Sequence, residues 1–263
     1  MQQLNFEELK DFLDEMVDKF NQPNFIENDP IQIPHRYSNA QDIEIAAFLT
    51  STIAWGRRDM IIKSANRIME LMDDSPADFV MNSTVADLNG VEKFVHRTFN
   101  GGDLGYFIGA LKRIYKDKGG MQKVFKDGLD VRNDIDMKNA LIHFNEVFFA
   151  EVPSNFRTRK HIGNPQKGSA AKRLVMFLRW MVRKDHKQVD FGLWSDLPMS
   201  HLSCPLDVHT GNVGRMLGFI DRKQNDWKTV MELDQSFRKM DAEDPAKYDF
   251  ALFGLGAMDG WKM

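Results

Sequence analysis

A chain of 263 residues, 43% apolar and 28% charged, is long enough to bury a sizeable core and has the balance of a soluble globular protein. No apolar run approaches the roughly 18 residues that span a bilayer, which excludes a helical membrane protein. A single cysteine, Cys204, excludes an internal disulfide and any zinc or cluster site built from several thiolates, and fits a reducing cytoplasm.

In chain order, Phe6, Leu9, Phe12, Leu13, Met16, Val17 and Phe20 recur at helical spacing in an acidic segment, so residues 5–20 are expected to pack as a first helix rather than to serve as a signal peptide. Residues 21–40 hold three prolines and little periodicity and read as an ordered connector. Three- and four-residue apolar spacing then predicts helices at 41–55, 59–73, 76–82, 90–98, 103–117 and 135–150, followed by 169–184, 208–218, 227–239 and 246–257. Ser75-Pro76 is a start signal, Gly119-Gly120 a break, and Ser169 can cap the helix behind it. Alternating strand patterns are scarce, so the expected fold class is all-α.

The net charge of -3 averages over faces that no ligand sees together. From Arg157 to Lys187 there are ten Lys or Arg residues against one acid, Asp185. Within that segment GSAAKRLVMFLRWMVRKD carries a core stripe of Leu174, Phe177, Leu178 and Met181. Lys172, Arg179 and Arg183 share another face with Met176 between them. That face is either solvated, with basic stems covering apolar surface, or a phosphate-binding surface. Lys172 stands in the first turn, where the helix dipole and neighbouring Arg173 act against an ammonium, a setting that suits a nucleophilic amine.

In HLSCPLDVHTGNVGRMLGF, Asp207 is placed as an N-cap, and a helix N-terminus also suits an ionised carboxylate with an electrostatic role. His201, Cys204, Asp207 and His209 match no standard zinc spacing, and no metal is expected. IAWGRRD, residues 53–59, either lines a cleft through Trp55, Arg57 and Arg58 or carries ordinary helix-terminal charge. Trp55, Trp180 and Trp194 are candidates for stacking on a base, set against a place in the core.

PLDVHTGNVGRMLGF resembles the aspartate segment of the helix-hairpin-helix base-excision DNA glycosylases, the superfamily of endonuclease III and the 8-oxoguanine glycosylases. DIEIAAFLTSTIAWGRRDMIIKSANRIMELM is similar to the early helix pair of that superfamily, and KYDFALFGLGAMDG to its closing helix. GSAAKRLVMFLRWMVRKD, VDFGLW, PLDVH and DPAKYDFALFGLG resemble an uncharacterised bacterial family of conserved hypothetical proteins. The superfamily resemblance implies a two-lobed, all-α fold, with a central lobe over 40–188 that includes the hairpin-like segment and a second lobe from 1–39 plus 189–263. It implies a cytoplasmic, monomeric, cofactor-free DNA repair glycosylase with lyase activity, acting on double-stranded DNA that carries a damaged base or abasic site. Lys172 would attack the sugar C1′, Asp207 would assist, and His209 would orient the aspartate segment. Lys167, Gly168, Ser169, Arg173, Arg179, Arg183, Arg57 and Arg58 would hold nucleic acid. The familiar Leu-Pro-Gly-Val-Gly hairpin is replaced by GNPQKGSAAK, which makes Lys167 a substitute nucleophile, and the four-cysteine cluster loop is missing. The alternative is a non-catalytic nucleic-acid-binding protein that retains the fold.

Overall fold

A computed structural model describes residues 5–261; residues 1–4 and 262–263, which the sequence assigns to the second lobe, lie outside the described residues. Among the described residues the chain is all-α apart from one short hairpin. The helices of the first half are α1 (Phe6–Phe20), α2 (Asn24–Glu27), α3 (Ala40–Thr52), α4 (Arg58–Leu71), α5 (Pro76–Asn82) and α6 (Val85–Val91). Strands β1 (Val95–His96) and β2 (Phe99–Asn100) follow, then α7 (Gly101–Asp117), α8 (Met121–Asp127) and α9 (Lys138–Phe148). The last are α10 (Lys172–Val182), α11 (Val208–Met216), α12 (Trp227–Met240) and α13 (Tyr248–Phe253), which runs into a π turn, Gly254–Met258. Among the described residues, no helix is long and apolar enough to cross a membrane.

The chain divides into two compact units, Ile26–Asp134 with Lys138–Asn164, and Met1–Phe25 with Ile135–Met137 and Pro165–Met263. The expected boundaries at 39 and 188 are both displaced. Residues 26–39 join the first unit because Ile31 and Ile33 are fully buried and Arg36 pairs with Asp74 at 2.5 Å. Residues 165–188 join the second because Ser169 bridges Asp226 and the Trp227 N–H donates to the Gly168 carbonyl at 3.1 Å.

In the first unit α3 is buried on every side from Ile43 to Thr52, which is why its sequence is apolar all round rather than striped. Phe48 on α3 meets Phe107, Phe144 and Phe148 with ring centroids 5.5–5.7 Å apart, and Phe125 stacks on Phe144 at 4.3 Å. The helix expected at 90–98 is absent. Thr84 and Asp87 form a capping box that starts α6 at Val85 instead, and Arg97, at φ 53°, turns the chain into the β1–β2 hairpin. Helix α5 begins at Pro76 as expected, but Ser75 makes no side-chain cap; the Ala77 N–H donates to Asp42 from α3 at 2.8 Å.

In the second unit α1 presents Leu13, Val17 and Phe20 to the core and packs on α13. The Phe20 ring occupies the space a side chain at Gly254 would need. Helix α10 is wrapped by the unit, with every residue from Phe177 to Val182 buried. It starts at Lys172, and Ser169 is not its cap: Ala171, in a left-handed conformation at φ 48°, precedes it, and Ser169 Oγ accepts instead from the Ala171 N–H at 3.1 Å.

Candidate functional site

Lys172 and Asp207 come together in the second unit, each at the start of a helix. Lys172 Nζ lies 3.8 Å from Asp207 Oδ2, with the two side chains 25% and 23% exposed. That distance is longer than a direct hydrogen bond, so the amine is paired by charge without being locked. Nζ also lies 3.6 Å from Met176 Sδ, one turn along α10. Asp207 is the N-cap of α11, as its sequence position predicts: Oδ1 accepts from the Thr210 N–H at 3.0 Å. Capping employs one carboxylate oxygen and leaves the other facing the lysine. The cap and the charge role are thus held by different atoms of one side chain.

Residues 165–171, which lead into α10, keep Lys167 and Gly168 exposed and Ser169 half-buried. Arg173 is half-buried, and burial lowers its pKa to about 10, so it remains a cation at neutral pH. His209 is exposed on α11, edge-on to Phe253 at 6.3 Å. A side chain at Gly256 would come within 3.0 Å of His209 Cβ, so the π turn holds this histidine from one side.

Arg179 and Arg183 do not form a phosphate-binding face, nor a solvated one. They are 4% and 2% exposed. Arg179 bonds Asp190 at 3.2 Å and, more closely, Asp249. Arg183 pairs with Asp185 and Asp244 at 2.9 Å and with Asp190 at 3.1 Å. Phe250 covers both guanidinium groups, at 4.4 and 5.3 Å. Burial opposes the charge of Arg183, but Asp190, Asp244 and Asp185 outweigh it and raise its pKa. Two cations that the sequence aligned with Lys172 are therefore neutralised inside the core.

Trp180 and Trp194, 1% and 0% exposed, are core residues and offer no face for a base. Trp194 sits edge-on to Phe177 at 5.3 Å. Trp55, Arg57 and Arg58 belong to the first unit. Trp55 is half-buried, edge-on to His96 at 5.1 Å and stacked on His161 at 6.0 Å. Arg57 is exposed and paired with Asp59 at 2.6 Å, and half-buried Arg58 opens α4.

Sequence reasoning missed the residues that brace the pair. Asn225 Nδ2 donates to the Asp207 carbonyl at 3.1 Å, and Arg215 donates to Asn225 Oδ1 at 2.7 Å. The one signal for them was Asp226, whose N-cap position before α12 marks where the loop containing Asn225 ends.

Behind the pair lie two buried carboxylates. Burial pushes Asp249 up to about 6 against the pull of Arg179, with Asp207 adding to the rise. Burial likewise pushes Asp234 up to about 6, opposed by Arg238. Asp234 accepts the Cys204 N–H at 3.0 Å, and the Cys204 thiol, 3.8 Å from Asp249, is raised well above its ordinary value by burial and then by Asp249 and Asp234. A carboxyl that holds its proton more tightly folded than unfolded stabilises the fold below pH about 4 and loses that contribution as pH rises through about 6. Asp234 should account for roughly 3 kcal/mol of that decline. Asp234→Asn keeps the acceptor for Cys204 and cannot ionise. Urea unfolding at pH 4.5 and pH 7 should therefore show a smaller fall in stability for the variant than for the parent; an equal fall refutes the assignment.

A family model described as "Protein of unknown function (DUF2400)" matches residues 29–258. No curated protein and no solved structure matches the chain.

Proposed function

This chain belongs to the DUF2400 family, and from its own site we propose that it is a DNA base-excision glycosylase with lyase activity, acting through a Lys172 Schiff base on an oxidised or abasic site. The observation that carries the reading is the approach of a partly exposed amine to a partly exposed carboxylate, 3.8 Å apart at two helix starts. The two-lobed helix-hairpin-helix glycosylase-like fold is part of the same proposal. It rests on the resemblance of PLDVHTGNVGRMLGF and its flanking segments, together with the all-helical architecture.

The chemistry follows from the pair. Asp207 takes the proton that Lys172 must lose before its nitrogen can attack. The glycosidic bond breaks with its electrons leaving on the base, which takes up a proton, and the nitrogen lone pair forms the new bond to C1′. The nitrogen then gives up a proton as the C1′–O4′ bond opens. O4′ gains a proton, and a C1′ iminium remains. Loss of a C2′ proton expels the 3′ phosphate and cleaves the strand. Asp207 passes the proton it took on to the departing base, and the carboxylate so restored stabilises positive charge on the sugar. Lys167, exposed ahead of α10, meets phosphate, with the backbone of Gly168 and Ser169 beside it. The alternative of a non-catalytic nucleic-acid binder loses support with the burial of Arg179 and Arg183, because it relies on the basic face alone.

Borohydride reduces an iminium to a stable amine. Incubation with duplexes carrying an abasic site or 8-oxoguanine should give a covalent protein–DNA adduct, and its absence on both would refute the reading. Asp207→Asn separates capping from chemistry, since asparagine caps as well as aspartate but takes up no proton. This variant should keep the parent's thermal midpoint and trap about 10² to 10³ times more slowly. An Asp207→Asn protein that traps at the parental rate reduces the aspartate to a cap.

A further inference from the structure

The two helix starts that carry Lys172 and Asp207 are joined by a third piece of chain, residues 222–226. On one side Ser169 bridges Asp226, and the Trp227 N–H donates to the Gly168 carbonyl at 3.1 Å, which fixes this loop to the segment that delivers Lys172. On the other side the adjacent residue, Asn225, donates to the Asp207 carbonyl at 3.1 Å. Arg215, projecting from α11, stiffens the loop: it donates to the carbonyls of Arg222 at 2.7 Å and Lys223 at 3.0 Å and to Asn225 Oδ1 at 2.7 Å. Gly211 makes room for this arrangement. A β-carbon there would lie 2.9 Å from Arg215 Nη1 and 3.0 Å from Asn225 Oδ1.

We infer that residues 222–226 are the strut that sets the separation of Lys172 and Asp207, with Asn225 and Arg215 as positioning residues. The inference rests on the Schiff-base reading of the pair. Because Asn225 and Trp227 are two residues apart, their bonds to the Asp207 carbonyl and to the Gly168 carbonyl act through one short stretch of backbone. Freeing either end lets the lysine and the carboxylate drift apart, and a displacement near 1 Å at a reacting pair costs about a hundredfold in rate.

Two measurements separate the strut from the reaction. Labelling of Lys172 by trinitrobenzenesulfonate, followed by peptide mass spectrometry, reads the pairing without DNA. Borohydride trapping on an abasic duplex, taken across pH, reads the chemistry. Asn225→Ala should label Lys172 at least about threefold faster. It should trap about ten- to a hundredfold more slowly across that pH range. Gly211→Ala should give the same changes while its thermal midpoint holds or rises, since alanine is a better helix former than glycine. Unchanged labelling in both variants overturns the strut. A parent protein that never traps overturns the Schiff-base reading instead, and the labelling comparison still decides the strut.

Discussion

Lys172→Ala is expected to abolish the borohydride-trapped adduct on an abasic duplex while leaving the fold intact. The side chain contributes a charge pair at 3.8 Å and a contact with Met176, both at a partly exposed position, so the cost in stability should stay within about 1 kcal/mol. The cost in rate is of another order, because the substitution removes the attacking nitrogen itself. A fall of at least about 10³-fold is expected. Lys172→Arg should be equally inactive, since a guanidinium keeps its proton. Lys167→Ala is the control. Lys167 is exposed within a short 3-10 turn, and its loss should weaken binding modestly and flatten its salt dependence without removing the adduct. Should the adduct vanish in Lys167→Ala and persist in Lys172→Ala, the nucleophile is Lys167 and the pair with Asp207 is structural.

The largest effect on stability is expected from Arg183→Ala. Its guanidinium stands among Asp185, Asp190 and Asp244 at 2.9–3.1 Å, 2% exposed. Truncation leaves buried Asp190 and half-buried Asp185 and Asp244 facing one another, a loss of about 3–5 kcal/mol. Arg183→Lys restores a charge but not the planar fork that reaches three acids, and should recover part of it. Equilibrium urea unfolding reads both. Duplex binding supplies the second criterion: where Arg183→Lys is folded, its salt dependence should equal the parent's. A stable Arg183→Ala protein with a reduced salt slope would return this arginine to the surface.

The contrast between these two residues shows where the sequence was legible. Local signals that need only a few neighbours were reliable. The amphipathic stripe of α1, the cap at Asp207 and the glycine break after α7 all stand where spacing and residue type placed them. Arg179 and Arg183 were misread because a basic stripe at helical spacing looks the same whether water or aspartates face it. Asp185 stands two residues past Arg183, but the other partners, Asp190, Asp244 and Asp249, are 7 to 70 residues further along the chain. Helix α5 has a distant cap for the same reason, from Asp42. The hairpin at 95–100 escaped notice because two residues per strand leave no period to read. At the site, Lys172 and Asp207 were visible as residue types at helix starts. Their brace was not, since an asparagine and an arginine in α11 and its following loop carry no spacing that marks them as neighbours of the pair.

The pairing of α1 with α13 sets an order in time. Every residue of the first unit has been made once Asn164 is added, so that unit can close early. Helix α1, emerging before all the others described, cannot. Its apolar stripe has its partner in α13, and its Lys19 pairs with Asp259, 240 positions later. Throughout synthesis of the intervening chain, Leu13, Val17 and Phe20 must stay in water, bind elsewhere or be sheltered by a chaperone. The candidate site is assembled in this late-closing unit, so a nascent chain should acquire its lysine–aspartate pair only after α13 has been made.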